Sequence, residues 1–398
     1  MLHNKKVLLG VTASIAAYKA TYLVRLFIKA GAEVRVILTE SAKDFVTPLT
    51  LSTLSKNPVY SEYFNGKTGG WNSHVELAEW ADIFVIAPLS ANTMAKMVQG
   101  ICDNLLLATY LSARCPVFFA PAMDLEMYQK PIVQENIESL QMMGHILIPA
   151  GSGELASGLE GEGRMEEPEN IIKQIEQYSI PDNSLKGKKI LISAGPTREY
   201  LDPVRYISNH SSGKMGVSLA IEASRRGGEV TLVHGPIKLK TPPSVKAHPV
   251  VSADEMFEAC MKYFPESDVI VMSAAVADYK PAQLAVSKIK KSDSDFSLAL
   301  VKNRDILKTM GESKKEGQYL VGFALETENE RENANKKLVS KKLDMIVLNS
   351  LKDEGAGFDH STNKVTLIKR SGAMLELPLK SKSEVARDIL NDICRTLI

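Results

Sequence analysis

One local plan occurs twice in this chain, and the repetition restricts the folds open to it. Val7-Leu8-Leu9-Gly10-Val11 is an apolar run ending in the small polar turn Thr12-Ala13-Ser14, and a helical pattern continues to about Lys29. Gly31 stops that helix, and Glu33 to Thr39 is strand-like again. Lys189 to Gly195 is likewise a strand running into a glycine loop. A helix from about Lys214 to Arg226 then stops at Gly227-Gly228, and the strand Glu229 to Val233 follows. Further on, Ala81 to Pro88 and Ser267 to Ala274 are near-continuous apolar runs, as in strands covered on both faces of a parallel sheet. Each opens into polar residues at its carboxyl end, where ligands of open parallel sheets bind. The pattern predicts an α/β fold of two doubly wound Rossmann-like domains, residues 1–180 and 188–398. The Pro-, Asn- and Gly-containing stretch 180–187 joins them.

Bulk properties narrow the function classes. The 398 residues carry 48 basic and 47 acidic side chains, a net charge of +1, without the basic excess of a nucleic-acid binder. Cys102, Cys115, Cys260 and Cys394 lie far apart, with no CxxC pair and no zinc spacing. A disulfide framework is not expected, and a reducing cytoplasm is. The first apolar run breaks at Thr12 and Ser14, too short for a signal peptide or a membrane span.

In the first half, the turn from Gly10 to Ser14 lacks the GxGxxG of dinucleotide folds, and an ordinary strand-to-helix turn explains it as well. Ser90-Ala91-Asn92-Thr93 clusters hydroxyl and amide groups at a strand end, where a plain helix N-cap is an equal reading. Ser73-His74-Val75-Glu76 fits a capping box, with Glu76 returning to Ser73. It puts His74 at the first helical position, where the helix dipole disfavours the protonated ring. A neutral imidazole is what a general base requires, although a solvated first-turn histidine has the same pattern.

With Ala120-Pro121-Ala122-Met123-Asp124-Leu125-Glu126-Met127-Tyr128 and Gly161-Glu162-Gly163-Arg164-Met165, these segments resemble the flavin-containing cysteine decarboxylases that act on phosphopantothenoylcysteine. The resemblance covers roughly residues 5 to 175. It implies an FMN-binding domain that forms trimers with active sites at subunit contacts. FMN is then held by Gly10, Ser14, Thr39, Ser90, Asn92 and Thr93, substrate by Met123 and Asp124, and His74 is the base of the oxidative step. The oxidised thioaldehyde loses CO2, and reduced FMN returns hydride to the enethiol. Two residues depart from the family. Asp124 and Tyr128 stand where it has Asn and Trp, and a carboxylate at 124 repels the substrate carboxylate unless protonated or paired. Ser157, in Leu155-Ala156-Ser157-Gly158, replaces the thiol that donates the last proton. A hydroxyl is far less acidic than a thiol of pKa about 8.5. Decarboxylation is expected to persist, with Ser157 delivering the proton through a water or a neighbour. The alternative is a flavin domain that serves as an FMN-binding assembly scaffold.

In the second half, Ser211-Ser212-Gly213-Lys214-Met215-Gly216 opens a helix with a nest of N–H and O–H donors suited to phosphate, without Walker spacing. An N-cap with a Gly turn is the bland reading. Asp278 follows a buried strand, placed either to hold Mg2+ or to form a turn. Lys288-Ile289-Lys290-Lys291 is a solvated charge run or a loop that closes on phosphates, and Lys337 and Lys341 share a helix face. The runs from Ala194 to Gly216, Ser273 to Ala282, Lys288 to Lys291 and Gly322 to Thr327 are similar to the bacterial CTP-using phosphopantothenate–cysteine ligases. That likeness covers about residues 188 to 398. It implies an acyl-cytidylate intermediate followed by attack of the cysteine amine. By it Asn209 contacts the acyl group, Lys288 serves the second half-reaction, and Asp278 lies at the nucleotide and metal site. Phe323 contacts cytosine and Lys337 and Lys341 sit near the phosphates. Ser212, Gly213, Ser273, Ala274 and Asn303-Arg304-Asp305-Ile306 complete the CTP site, with Arg304 where the family has Pro.

The two resemblances imply consecutive steps of coenzyme A synthesis. CTP-dependent ligation of 4'-phosphopantothenate with cysteine precedes FMN-dependent decarboxylation to 4'-phosphopantetheine. Trimeric flavin domains and dimeric ligase domains imply a homo-oligomer, possible as a dodecamer.

Overall fold

The computed structural model describes residues 2–64, 69–179, 182–239, 241–290, 297–326, 328–350 and 362–397. Ile180, Pro181, Lys291 and Thr327, each within or bounding a stretch read above, lie outside them. The chain divides into two compact units, Met1–Pro181 and Asp182–Ile398.

In the first unit, β1 (Lys6–Val11), β2 (Glu33–Leu38), β3 (Val59–Tyr60), β4 (Ile83–Leu89), β5 (Val117–Pro121) and β6 (Ile146–Leu147) form one parallel sheet. Their spatial order is β3-β2-β1-β4-β5-β6. Every residue of β4 and β5 is buried, as their unbroken apolar runs require. Alternate residues of β1 serve opposite faces. Leu9 packs with Leu23 and Phe27 of the helix Lys19–Lys29, while Leu8 packs with Phe84 and Leu106 on the other side.

The second unit repeats this arrangement with β7 (Lys189–Ala194), β8 (Glu229–His234), β9 (Lys246–Pro249), β10 (Val269–Met272), β11 (Tyr319–Glu326) and β12 (Met345–Ser350). The order β9-β8-β7-β10-β11-β12 is parallel, and β13 (Val365–Lys369) and β14 (Met374–Glu376) extend it antiparallel. In both sheets the strand order reverses beside the first strand, between β1 and β4 and between β7 and β10. These switch points open a crevice at the carboxyl ends, the usual ligand position.

The helix Lys214–Arg225 lies directly on β7. A Cβ on Gly216 would stand 2.5 Å from Ala194 Cβ, 2.7 Å from Ser273 Oγ and 2.9 Å from Ser193 O. Only glycine permits that approach. Gly216→Ala is therefore expected to destabilise the second unit by about 1–3 kcal/mol, the range for overpacking. A lowered denaturant midpoint at constant m-value checks it.

Short hairpins complete both units: Gly151–Glu154 with Glu160–Arg164, Arg198–Tyr200 with Tyr206–Ser208, and Tyr279–Pro281 with Leu300–Lys302. Among the described residues no helix is long and apolar enough to cross a membrane.

Candidate active sites

At the first switch point, Thr12 ties β1 to β4. Its N–H and hydroxyl donate to Pro88 O at 3.2 and 2.9 Å, and its Oγ1 accepts from Ser90 N at 2.8 Å. Ser90 then caps the helix Ala91–Gln99, accepting from Thr93 N, while Ser14 caps the 3-10 turn Ile15–Tyr18, accepting from Ala16 N. Asn92 is exposed and Thr93 buried in that helix start, and Thr39 precedes the turn Glu40–Asp44 at the end of β2 with no capping bond from its side chain. The capping and the ligand readings thus fall on the same residues. Gly10 is different: it is buried, and a Cβ there would meet Leu106 at 3.1 Å and Phe84 at 3.2 Å. Its missing side chain makes room for core packing, while its backbone stands one residue before the carboxyl end of β1.

A cleft of about 430 Å³ lies near this crevice, lined by Ser14, Lys19, Met123, Asp124, Glu154 and Arg164 among others. The hairpin Gly151–Arg164 forms one wall. Met123 N donates to Gly163 O at 3.0 Å, and a Cβ on Gly163 (φ +138) would stand 2.5 Å from Met123 O. Asp124 precedes the helix Leu125–Tyr128 with no capping bond from its side chain. Both cations that line this cleft have an acidic partner. Lys19, 3% exposed, donates to Met165 O at 2.8 Å and pairs with Glu167 at 2.9 Å. Arg164 also pairs with Glu167, at 3.2 Å. Sequence reasoning passed over Lys19, because a lysine in a helical pattern reads as a solvated face. Ser157 sits exposed in the hairpin loop and does not line the cleft.

His74 begins the helix His74–Trp80, and Ser73 accepts from Glu76 N at 3.2 Å. Its ring meets Tyr63 edge-on at 6.3 Å, and Tyr63 stacks on Trp71. Its Nδ1 is buried without a hydrogen-bond partner among the described residues. His74 does not line the cleft of Asp124.

In the second unit two cavities meet along Ala274, Ala275 and Phe323. The larger, about 490 Å³, is lined by Asp278, Asn303, Arg304, Asp305, Ile306, Lys337 and Lys341 among others. Asn303 donates from Nδ2 to Ala277 O at 2.8 Å and from N to Asp278 O at 2.8 Å, and its buried Oδ1 has no partner among the described residues. Lys337 pairs with Glu326 and Lys341 with Asp305, at 2.7 and 2.8 Å, so neither is merely solvated. The Lys341 ammonium helps hold the Asp305 carboxyl below its ordinary range, against the opposing effect of burial. The Arg304 side chain pairs with Asp254 and Glu258 and stacks 3.8 Å over Phe257.

The smaller cavity is bounded by Ser211 to Gly216 and by Ser273. The helix behind it starts at Gly213 with no side-chain cap, a start suited to anions. Ser273 Oγ donates to Ser193 O at 2.6 Å. Asn209 donates from Nδ2 to Ala275 O at 3.0 Å and to Val276 O at 3.2 Å, fixing the loop that walls both cavities.

Lys288 is exposed and lines neither cavity. Its segment is nevertheless anchored. Buried Asp202 accepts from Ile289 N at 3.1 Å and from Arg205 Nε at 2.9 Å, and Arg205 donates to Ile289 O at 2.8 Å. The Arg205 guanidinium, with backbone N–H groups of residues 204, 205 and 289, holds the Asp202 carboxyl well below the carboxylate range. The sequence held this clasp in Asp202-Pro203-Val204-Arg205, but its partner is distant along the chain.

Residues 1–179 match the Flavoprotein family, and residues 185–397 match the DNA/pantothenate metabolism flavoprotein C-terminal domain. The chain is 45% identical over 396 residues to the coenzyme A biosynthesis bifunctional protein CoaBC of Bacillus subtilis, covering 99% of this chain and 97% of that one. It is 43% identical to the protein of that name from Haemophilus influenzae, covering 98% of each. A cysteine/cysteine sulfinic acid decarboxylase of an unknown prokaryotic organism is 50% identical over 353 residues, covering 87% of this chain and 98% of that one.

Proposed function

The chain belongs to the CoaBC family of bifunctional coenzyme A biosynthesis proteins, and from that premise we propose how its two units divide the work. The second joins 4'-phosphopantothenate to cysteine with CTP, and the first decarboxylates the product to 4'-phosphopantetheine. The observation that carries this is the pair of polar crevices at equivalent switch points, each in a domain of the matching family.

In the ligase unit, the lysines of the larger cavity neutralise triphosphate oxygens, and the uncapped helix start at Gly213 offers further donors. Asp278 is an exposed carboxylate on the cavity wall. Among the described residues no three acidic, His or Cys side chains form a metal cage. One carboxylate with substrate phosphates is the usual holding of Mg2+, and the site fits that role. Asn209, fixed at both of its donor bonds, positions the acyl carboxylate, and Lys288 acts from its clasped segment in the amine step. Neutralising the phosphates and aligning the carboxylate favours displacement of pyrophosphate.

In the decarboxylase unit, the hydroxyls of Ser14 and Ser90 at helix starts and the orphaned His74 Nδ1 fit FMN and its substrate. Thr39, Asn92 and Thr93 complete the FMN contacts. When bound, the flavin supplies two-electron oxidation and reduction. His74 removes the proton in the oxidative step, Met123 and Asp124 orient the substrate, and Ser157 passes back the final proton through water. His74 lies outside the Asp124 cleft, which favours active sites shared between subunits, trimeric for this unit and dimeric for the ligase. We place the enzyme in the cytoplasm.

A purified protein with a flavin absorption band, CTP-dependent formation of phosphopantothenoylcysteine and release of 4'-phosphopantetheine from it are the expected results. Ligation without any CO2 release from added phosphopantothenoylcysteine would instead favour the scaffold role, for which Asp124 and Ser157 are the motive.

A further inference from the structure

We propose that the first unit also accepts free α-amino acids that carry a β-thiol, with Asp124 receiving their α-ammonium. The inference rests on the decarboxylase reading and widens the substrate class of that site.

The cleft of about 430 Å³ sets a carboxylate and a guanidinium on two facing segments. The bond from Met123 N to Gly163 O ties those segments together, and Asp124 follows one member of that pair as Arg164 follows the other. Among the described residues the two form no ion pair with each other. Arg164 meets Glu167 through Nη2 at 3.2 Å, and no hydrogen bond or ion pair engages the Asp124 carboxylate. Lys19, the other cation of the lining, is held by Met165 O and Glu167. Asp124 is thus a half-buried carboxylate on a cavity wall without a cation of its own. Such a charge is costly unless a partner compensates it, so the cleft calls for a ligand cation.

Phosphopantothenoylcysteine brings none, because its cysteine nitrogen is an amide and its carboxylate and phosphate are anions. A free α-amino acid carries ammonium and carboxylate on one carbon, complementary to the unjoined Asp124 and Arg164. The β-thiol is the group on which the unit's chemistry acts. Cysteine is the simplest such acid. Its carboxyl leaves as CO2 when the C–C bond breaks, a proton takes the vacated position, and cysteamine remains. Oxidation at the thiol carbon and the later reduction cancel on the same flavin, so no further oxidant is needed.

The test uses the full-length holoprotein and S-methylcysteine, whose blocked sulfur stops the reaction at binding. Titration is followed in the flavin absorption band, which the cysteine site of the ligase unit does not touch. A saturable change is expected with S-methylcysteine and none with its N-acetyl derivative. Asp124→Asn is expected to weaken that binding about ten- to a hundredfold, the worth of one charge-assisted bond. Cysteamine formation from cysteine falls with it, while turnover of phosphopantothenoylcysteine rises as the repulsion is removed. Equal response to the two probes, or unchanged affinity in Asp124→Asn, overturns the proposal. If Asp124→Asn does not retain its flavin, the wild-type comparison of the two probes decides alone. Wild-type protein that yields phosphopantetheine but does not respond to S-methylcysteine defeats this inference only. Cysteamine without any phosphopantetheine defeats the proposed decarboxylation of the acyl substrate only.

Discussion

Asn209→Ala is expected to lower CTP-dependent ligation about a hundredfold or more, while release of CO2 from phosphopantothenoylcysteine continues. The amide follows the hairpin strand Tyr206–Ser208, just ahead of the nest. Its two donor bonds reach consecutive carbonyls, Ala275 and Val276, in the loop shared by both cavities. Losing it frees that loop and removes the polar group beside the reacting carboxylate. Deleting one such preorganised group costs about a hundred- to a thousandfold in comparable acyl chemistry. Asn209→Asp sharpens the test, because it keeps the size but has no N–H to give the two carbonyls. Quantifying phosphopantothenoylcysteine from each variant, with a cytidylate trap for stalled intermediate, gives the answer. Ligation at the wild-type rate in Asn209→Ala sinks the role.

The doubly wound plan was legible because its signals are local. Unbroken apolar runs such as Ile83–Leu89 can only be interior strands, and Gly31 and Gly227 mark helix ends where the structure has them. The caps at Ser73 and Ser90 were equally readable, since a serine and the amide three residues on are neighbours in sequence. What stayed hidden depends on distance or on absence. The hairpin Gly151–Arg164 is glycine-rich and has no period-2 apolar pattern, yet it walls the first cleft. Lys288 was read as part of a solvated charge run or a closing loop, and what holds its segment is a buried aspartate far back in the chain. The packing of Gly10 was hidden too, because Leu106 and Phe84, which an added Cβ would meet, are distant in the chain.

His74→Ala is expected to reduce decarboxylation by about a hundred- to ten-thousandfold, the usual worth of a positioned base, and to leave ligation as it was. The substitution spares the helix start, because the cap belongs to Ser73 and the amide of Glu76. Flavin content read from the absorption band should therefore hold, which separates a lost base from a lost cofactor. The edge-on Tyr63 ring packs against the imidazole, and its buried Nδ1 has no hydrogen-bond partner among the described residues, which leaves it open to a substrate group. Ser157 makes the informative contrast. Exposed in its hairpin loop, it acts only after CO2 has left, so Ser157→Ala should still release CO2 but accumulate the unreduced enethiol. Mass analysis of product beside CO2 yield distinguishes the two steps. CO2 release at the wild-type rate in His74→Ala would remove the base from that residue, and unaltered phosphopantetheine from Ser157→Ala would move the last proton to another donor.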